Sequence, residues 1–157
     1  MRLLSLLIVC MLCNGNSTSG FVSGKGFKGY IFDQEKDLMI SFRDQKERFT
    51  PDKNEILYIE ELLNKNLKKI NSSRVNQGRG CPVLHKKLRK FMRQYVGYET
   101  NDGAKVIWIN LVWAEESLEK RLSKEIILVQ DGCSHYWSIK VNLDTSELFD
   151  LKVNGSG

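Results

Sequence analysis

Apolar residues recur at spacings of three and four through "RFTPDKNEILYIEELLNKNLKKIN". Ile56, Ile59, Leu63, Leu67 and Ile70 form one stripe, with Leu62 beside it. That period marks an amphipathic α-helix. Thr50 suits the N-cap, and Pro51 the first helical position, where no backbone donor is needed. Asp52 lies near the positive end of the helix dipole, and Lys68 and Lys69 near the negative end. A buried stripe contributes about 1.5–3 kcal/mol per large side chain, so this helix needs a surface to cover.

Elsewhere the period is two. In "FMRQYVGYETNDGAKVIWINLVW" two apolar arms flank "TNDG", whose Asn101, Asp102 and Gly103 suit the positive φ angles of a tight turn. The second arm is apolar on both sides: Ile107, Ile109, Leu111 and Trp113 on one, Val106, Trp108 and Val112 on the other. That predicts a central strand. "IILVQ" predicts another. In "QDGCSHYWSIKVNLDTSELFDLKVNGSG", Trp137, Ile139, Val141 and Leu143 face one way, and Ser138, Lys140 and Asn142 the other. After the "DTSE" turn, Phe149, Leu151 and Val153 face in, and Leu148, Asp150 and Lys152 face out. Near the start, "GKGFKGYIFDQEKDLMISF" predicts a β-hairpin turning at "DQEKD", with Leu38, Ile40 and Phe42 alternating against Met39, Ser41 and Arg43. "NSSRVNQGRGCP" reads as a loop, and "AEESLEKRLSKE" as a connection with one helical turn.

These elements predict an α+β fold: an N-terminal β-hairpin, one long helix, and a curled antiparallel meander. One helical stripe and one apolar sheet face are both satisfied when the helix lies across the sheet. The opposite face is then left to water or to a partner. Trp108, Lys140 and Lys152 are the candidate ligand-binding residues there, suited to a peptide strand, a glycan or an acidic surface.

The chain opens "MRLLSLLIVCMLCNGNSTSG". A basic start, a short apolar run and small polar residues predict a secretory signal peptide over residues 1–17, cleaved after Gly15 or Ser17, ahead of one α+β domain over 18–157. The expected destination is therefore periplasmic or extracellular. Cys10 and Cys13 raise a lipid-anchored form, but bulky Val9 and Leu12 precede them where such an anchor needs a small residue. The formal charge is +5, and its basic residues are interleaved with acids except in "HKKLRKFMR". A balance that mild does not point to nucleic acid, and no second apolar run is long enough to span a bilayer. The expected partner is a protein, a peptide or an envelope component.

Cleavage would leave Cys81 and Cys133. In an oxidising compartment they are a candidate disulfide, worth roughly 4 kcal/mol for a loop of about 50 residues. Two separate thiols are the alternative. Cys133, His135 and Asp131 lie close in sequence, and Cys81, His85, Cys133 and His135 would supply four ligands if their loops met. None of these matches a known nucleophile or metal spacing, and no phosphate-binding glycine loop occurs. The expectation is a binding or interaction domain with no catalytic residue, metal or cofactor. A thiol- or metal-dependent enzyme around those four residues is the alternative.

The segments "RQYVGYETNDGAKVIWIN" and "YWSIKVNLDTSELFDLKVNG" resemble a family of small exported bacterial proteins in which "RQYVGY", "IWIN" and a terminal "VNG" occur together. The likeness covers residues 88–157 and implies export without implying an activity. One helix followed by a strand meander is also similar to cystatin-like and PepSY-like folds. Cystatin inhibitors present Gln-x-Val-x-Gly on a hairpin. Here Gln94, Val96 and Gly97 stand in "QYVGY", with the glycine one place early and the turn further on, at residues 101–103. Protease inhibition is a third reading that this likeness implies.

Overall fold

The structure, a computed structural model, describes residues 20–78 and 80–155; the predicted signal peptide lies outside them. Seven strands form one open, mostly antiparallel sheet: β1 (Gly20–Gly24), β2 (Phe27–Ile31), β3 (Gln45–Phe49), β4 (Phe91–Thr100), β5 (Lys105–Trp113), β6 (Tyr136–Asn142) and β7 (Glu147–Val153). The helices are α1 (Lys53–Ile70) and the single turns α2 (Leu84–Lys87) and α3 (Glu119–Leu122). The strand order is β1-β2-β4-β5-β6-β7. β4 to β7 form the predicted meander, and β4 turns into β5 at the expected "TNDG". The opposite edge of β4 is shared: β2 runs parallel to residues 93–95, and β3 antiparallel to residues 97–100. Two glycines permit this crowding. A Cβ on Gly29 would stand 2.4 Å from the carbonyl oxygen of Arg93, and one on Gly97 would stand 2.7 Å from that of Phe49.

α1 lies across one face of the sheet. Ile56, Ile59, Leu63 and Leu67 are buried against Tyr95, Ile107, Ile109, Leu111, Trp137, Ile139 and Val141. The helix starts later than its sequence suggests. Asp52, not Thr50, is the N-cap: its Oδ1 accepts from the backbone N–H of Asn54 and Glu55, and Glu55 Oε2 accepts from the N–H of Asp52. The reciprocal pair satisfies donors that Thr50 could satisfy only singly. Thr50 Oγ1 instead accepts from the N–H of Gln34, 2.9 Å away.

The other face is not open, contrary to expectation. Residues 32–44 and 114–132 fold back over it as two irregular straps. The first strap packs Phe32 and Leu38, with Ile40 and Phe42 partly buried, on Val96, Tyr98, Val106 and Trp108. The second packs Leu122 and Ile127 on Met92 and Val112. Two predicted strands are therefore absent. Residues 38–42 keep their alternation but not a strand backbone, because Met39 sits at φ 50° and is 96% exposed. "IILVQ" joins no ladder; the side chains of Gln94 and Asn110 hold it at Ile127 instead. The hairpin is built instead from β1 and β2, turning at Lys25–Gly26.

The last strand departs from strict alternation. Lys140 pairs with Phe149 and Ser138 with Lys152, so Asp150 and Leu151 together oppose one residue of β6. Asp150 takes φ 52° at this bulge. Ahead of it the sides exchange: Leu148 packs toward α1, and Phe149 joins the Trp108 cluster, the reverse of the predicted facing. Beyond it Leu151 and Val153 face α1 as predicted.

Candidate functional site

The straps leave a gap over the middle of the sheet. There a hollow of about 630 Å³ is lined by Phe42, Arg43 and Asp44 from the first strap, Leu128 from the second, and Trp108, Ser138, Lys140, Asp150 and Lys152 from the sheet. Trp108, Lys140 and Lys152, chosen from alternation alone, thus meet at one place, though not on an open surface. Trp108 is only 8% exposed and pairs across the strands with Lys140. Phe42 packs over it at a centroid distance of 5.6 Å.

Lys140 is the most constrained of the three. Its ammonium lies 3.3 Å from Asp150 and 3.9 Å from Asp44. It also lies 5.4–5.8 Å from the ring centroids of Phe42, Tyr98 and Phe149. The β7 bulge makes this arrangement possible, because it swings Asp150 to the Lys140 side, where the same carboxylate reaches Lys152 at 3.2 Å. The Lys152 side chain is 71% exposed and borders solvent. Phe42 stacks on Tyr98 at 4.4 Å. Burial pushes the Tyr98 hydroxyl well above the usual tyrosine range, and the nearby Asp44 carboxylate adds to this. The hollow thus has an aromatic floor and two lysines bridged by one carboxylate, Lys140 at its side and the exposed Lys152 at its rim.

The cysteines and histidines divide. Cys81 and Cys133 are joined as a disulfide, with Cα atoms 6.1 Å apart, so neither sulfur is a thiolate ligand or nucleophile. His135 donates from Nδ1 to the carbonyl oxygen of Gly132 at 3.1 Å and stands edge-on to Trp113. His85 lies elsewhere, with Nδ1 3.3 Å from the side-chain nitrogen of Asn71. Burial lowers its pKa, and the positive charges of Arg74, Lys86 and Lys68 lower it further. Among the described residues no three His, Cys, Asp or Glu side chains gather as metal ligands. Gln94, Val96 and Gly97 are buried in the middle of β4, well away from the hairpin turn.

Several working residues were not singled out by sequence reasoning, or, like Gln94, were named only for the likeness to cystatins. Gln94 donates to the carbonyl oxygens of Leu122 and Glu125 and accepts from the N–H of Ile127, while Asn110 donates to Gln94 and to the carbonyl oxygen of Ile127. These two amides, paired across β4 and β5, clamp the second strap. Arg48 does the same for the first, donating to the carbonyl oxygens of Asp33 and Lys36. A reciprocal amide pair, Asn71 with Gln77, shapes the loop after α1. The signal was present: a polar residue inside an otherwise apolar strand must find a partner. What no pattern disclosed was the partner, because it is irregular backbone far away in sequence.

Compared with family models, curated proteins and solved structures, the chain matches none.

Proposed function

We propose that this chain is a small exported binding domain that works without catalysis, and that the hollow over Trp108 holds its ligand. The observation carrying this reading is the convergence of Trp108, Lys140 and Lys152, with Arg43 and Asp150, around one cavity of about 630 Å³. Ligand sites fall in a range of about 300–1,000 Å³ and combine an apolar floor with a few polar groups. The layout of residues 1–17 supports export, and a disulfide suits an oxidising compartment. An 18-residue helix laid across the β4–β7 meander supports placing the fold near the cystatin-like and PepSY-like group. Thiol- or metal-dependent chemistry has less support, because both sulfurs of that constellation are bonded to each other.

The test is a fragment screen by ligand-observed NMR on the disulfide-bonded protein and on Ser138→Phe, which fills the hollow from its floor. Fragments that bind the parent and are displaced by the substitution support the reading. If no fragment distinguishes the two proteins, the reading is overturned.

A further inference from the structure

A second hollow, of about 420 Å³, lies on the far side of β6, beside the disulfide. Its walls are Cys81, Pro82 and Val83 from the loop entering α2, Lys86 and Lys87 from α2 itself, Trp113 from the end of β5, and His135. We propose that this hollow is a binding site, separate from the one over Trp108, for a small ligand that carries a phosphate or sulfate ester on a flat apolar body.

Three observations lead there. The first is charge: among the described residues, every ionisable side chain lining this hollow is basic, and no carboxylate lines it. The hollow over Trp108 differs, because its lysines are already bridged by Asp150. Lys86 and Lys87 are exposed and make no ion pair among the described residues. Beside the hollow, burial lowers the pKa of His85, and the charges of Arg74, Lys86 and Lys68 lower it further. Clustered cations without a counter-charge attract an anion and speed its arrival.

The second observation is shape. Trp113 is only half-buried, yet it is held rigidly: His135 stands edge-on at 5.1 Å and Phe91 edge-on at 5.1 Å. The indole, with Pro82 and Val83 in the same lining, gives the hollow an apolar surface that suits a planar group better than a bare ion. Phosphate and sulfate esters place their charge at the end of such a body, within reach of lysine donors.

The third observation is the covalent tie. The Cys81–Cys133 bond joins the two walls, because Cys81 precedes α2 and Cys133 opens the turn that carries His135. Ser134 Oγ adds to it by donating to the carbonyl oxygen of Pro82 at 2.6 Å. The cationic wall and the aromatic wall are therefore held in register before any ligand arrives, which lowers the cost of binding.

The experiment uses phenyl phosphate as probe, with inorganic phosphate and phenol as controls, followed by the NMR signals of the Trp113 indole and the His135 ring. Phenyl phosphate should shift both and bind more tightly than inorganic phosphate, and phenol should leave them unmoved. Lys86→Gln with Lys87→Gln should weaken phenyl phosphate about tenfold without altering fragments bound over Trp108. Vesicles of phosphatidylglycerol against phosphatidylcholine form a second arm. Cosedimentation with the anionic vesicles alone assigns the ester to a lipid headgroup, and its absence alongside phenyl phosphate binding assigns it to a soluble ligand. The proposal is overturned if phenyl phosphate moves neither signal, if phenol moves them equally, or if the double substitution leaves the affinity unchanged.

Discussion

Arg93 and Glu60 form an ion pair between the sheet and α1 with side chains 0% and 2% exposed, Nε to Oε1 being 3.2 Å. Arg93 also donates to the carbonyl oxygen of Phe91 at 2.5 Å, and the Tyr95 hydroxyl donates to Glu60 at 2.9 Å. The pair thus sits in a closed set of hydrogen bonds, where losing one member strands the others.

Glu60→Ala should therefore destabilise by about 3–5 kcal/mol, since it leaves a buried guanidinium without its counter-charge. Replacing both partners, Glu60→Leu with Arg93→Met, should recover part of the loss, because an apolar pair of similar volume is often as stable as a buried ionic one. Urea unfolding of the three proteins measures this. A Glu60→Ala protein as stable as its parent would mean that the pair is not buried.

Gln94→Ala should loosen the second strap while sparing the sheet. Three backbone groups, on Leu122, Glu125 and Ile127, lose their partner, each worth about 1–3 kcal/mol when left buried and unpaired. Hydrogen exchange should accelerate over residues 114–132 and remain slow in β5 and β6. Uniform acceleration across the chain would show that the strap is no separate unit.

Lys140→Ala should cost about 1–2 kcal/mol, through lost contacts with three aromatic rings and two carboxylates. A lysine on an open face would cost almost nothing. Thermal unfolding separates the two, and a change within error would place Lys140 outside the ring of aromatics.

Opening the disulfide by Cys81→Ser with Cys133→Ser should cost about 4 kcal/mol on the chain-entropy model, for a sequence separation of 52. A thiol titration of the unfolded, unreduced chain lacking residues 1–17 should find none. Two titrating thiols would remove the bond and the second hollow with it.

Alkaline pH should destabilise the fold. Burial raises the pKa of Tyr95, Tyr98 and Tyr136 above the ordinary value. A group whose folded pKa is raised holds its proton more tightly when folded. Its contribution is fully present below about pH 10, the unfolded value, and is lost as pH rises through the higher folded one. The melting temperature should fall above about pH 10, less steeply in Tyr98→Phe. A flat profile there would contradict the burial of these hydroxyls.

The helix and the meander were legible because each carries one uninterrupted period: the stripe from Ile56 to Leu67, and the alternations of β5 and β6. The straps were not. Leu38, Ile40 and Phe42 advertise a strand, and only the positive φ of Met39 and the claims of Arg48 on nearby carbonyls make them a loop. "IILVQ" failed for the same reason, since its hydrogen bonds go to side chains rather than to a neighbouring ladder. The residues around the hollow were legible one at a time. Their meeting depended on the bulge at Asp150, which no periodicity announces.

The shared edge of β4 also governs the order in which the chain can fold. β2, already paired with β1, finds its second partner only when Gly29 meets Arg93, across the whole of β3, α1 and the loop that follows. Pairings so distant in sequence are slow, because loop-closure entropy is lost before any contact compensates. During synthesis the first hairpin must wait, unpaired on that side, until the fourth strand has emerged. The hairpin is thus seated only by a strand made well after it.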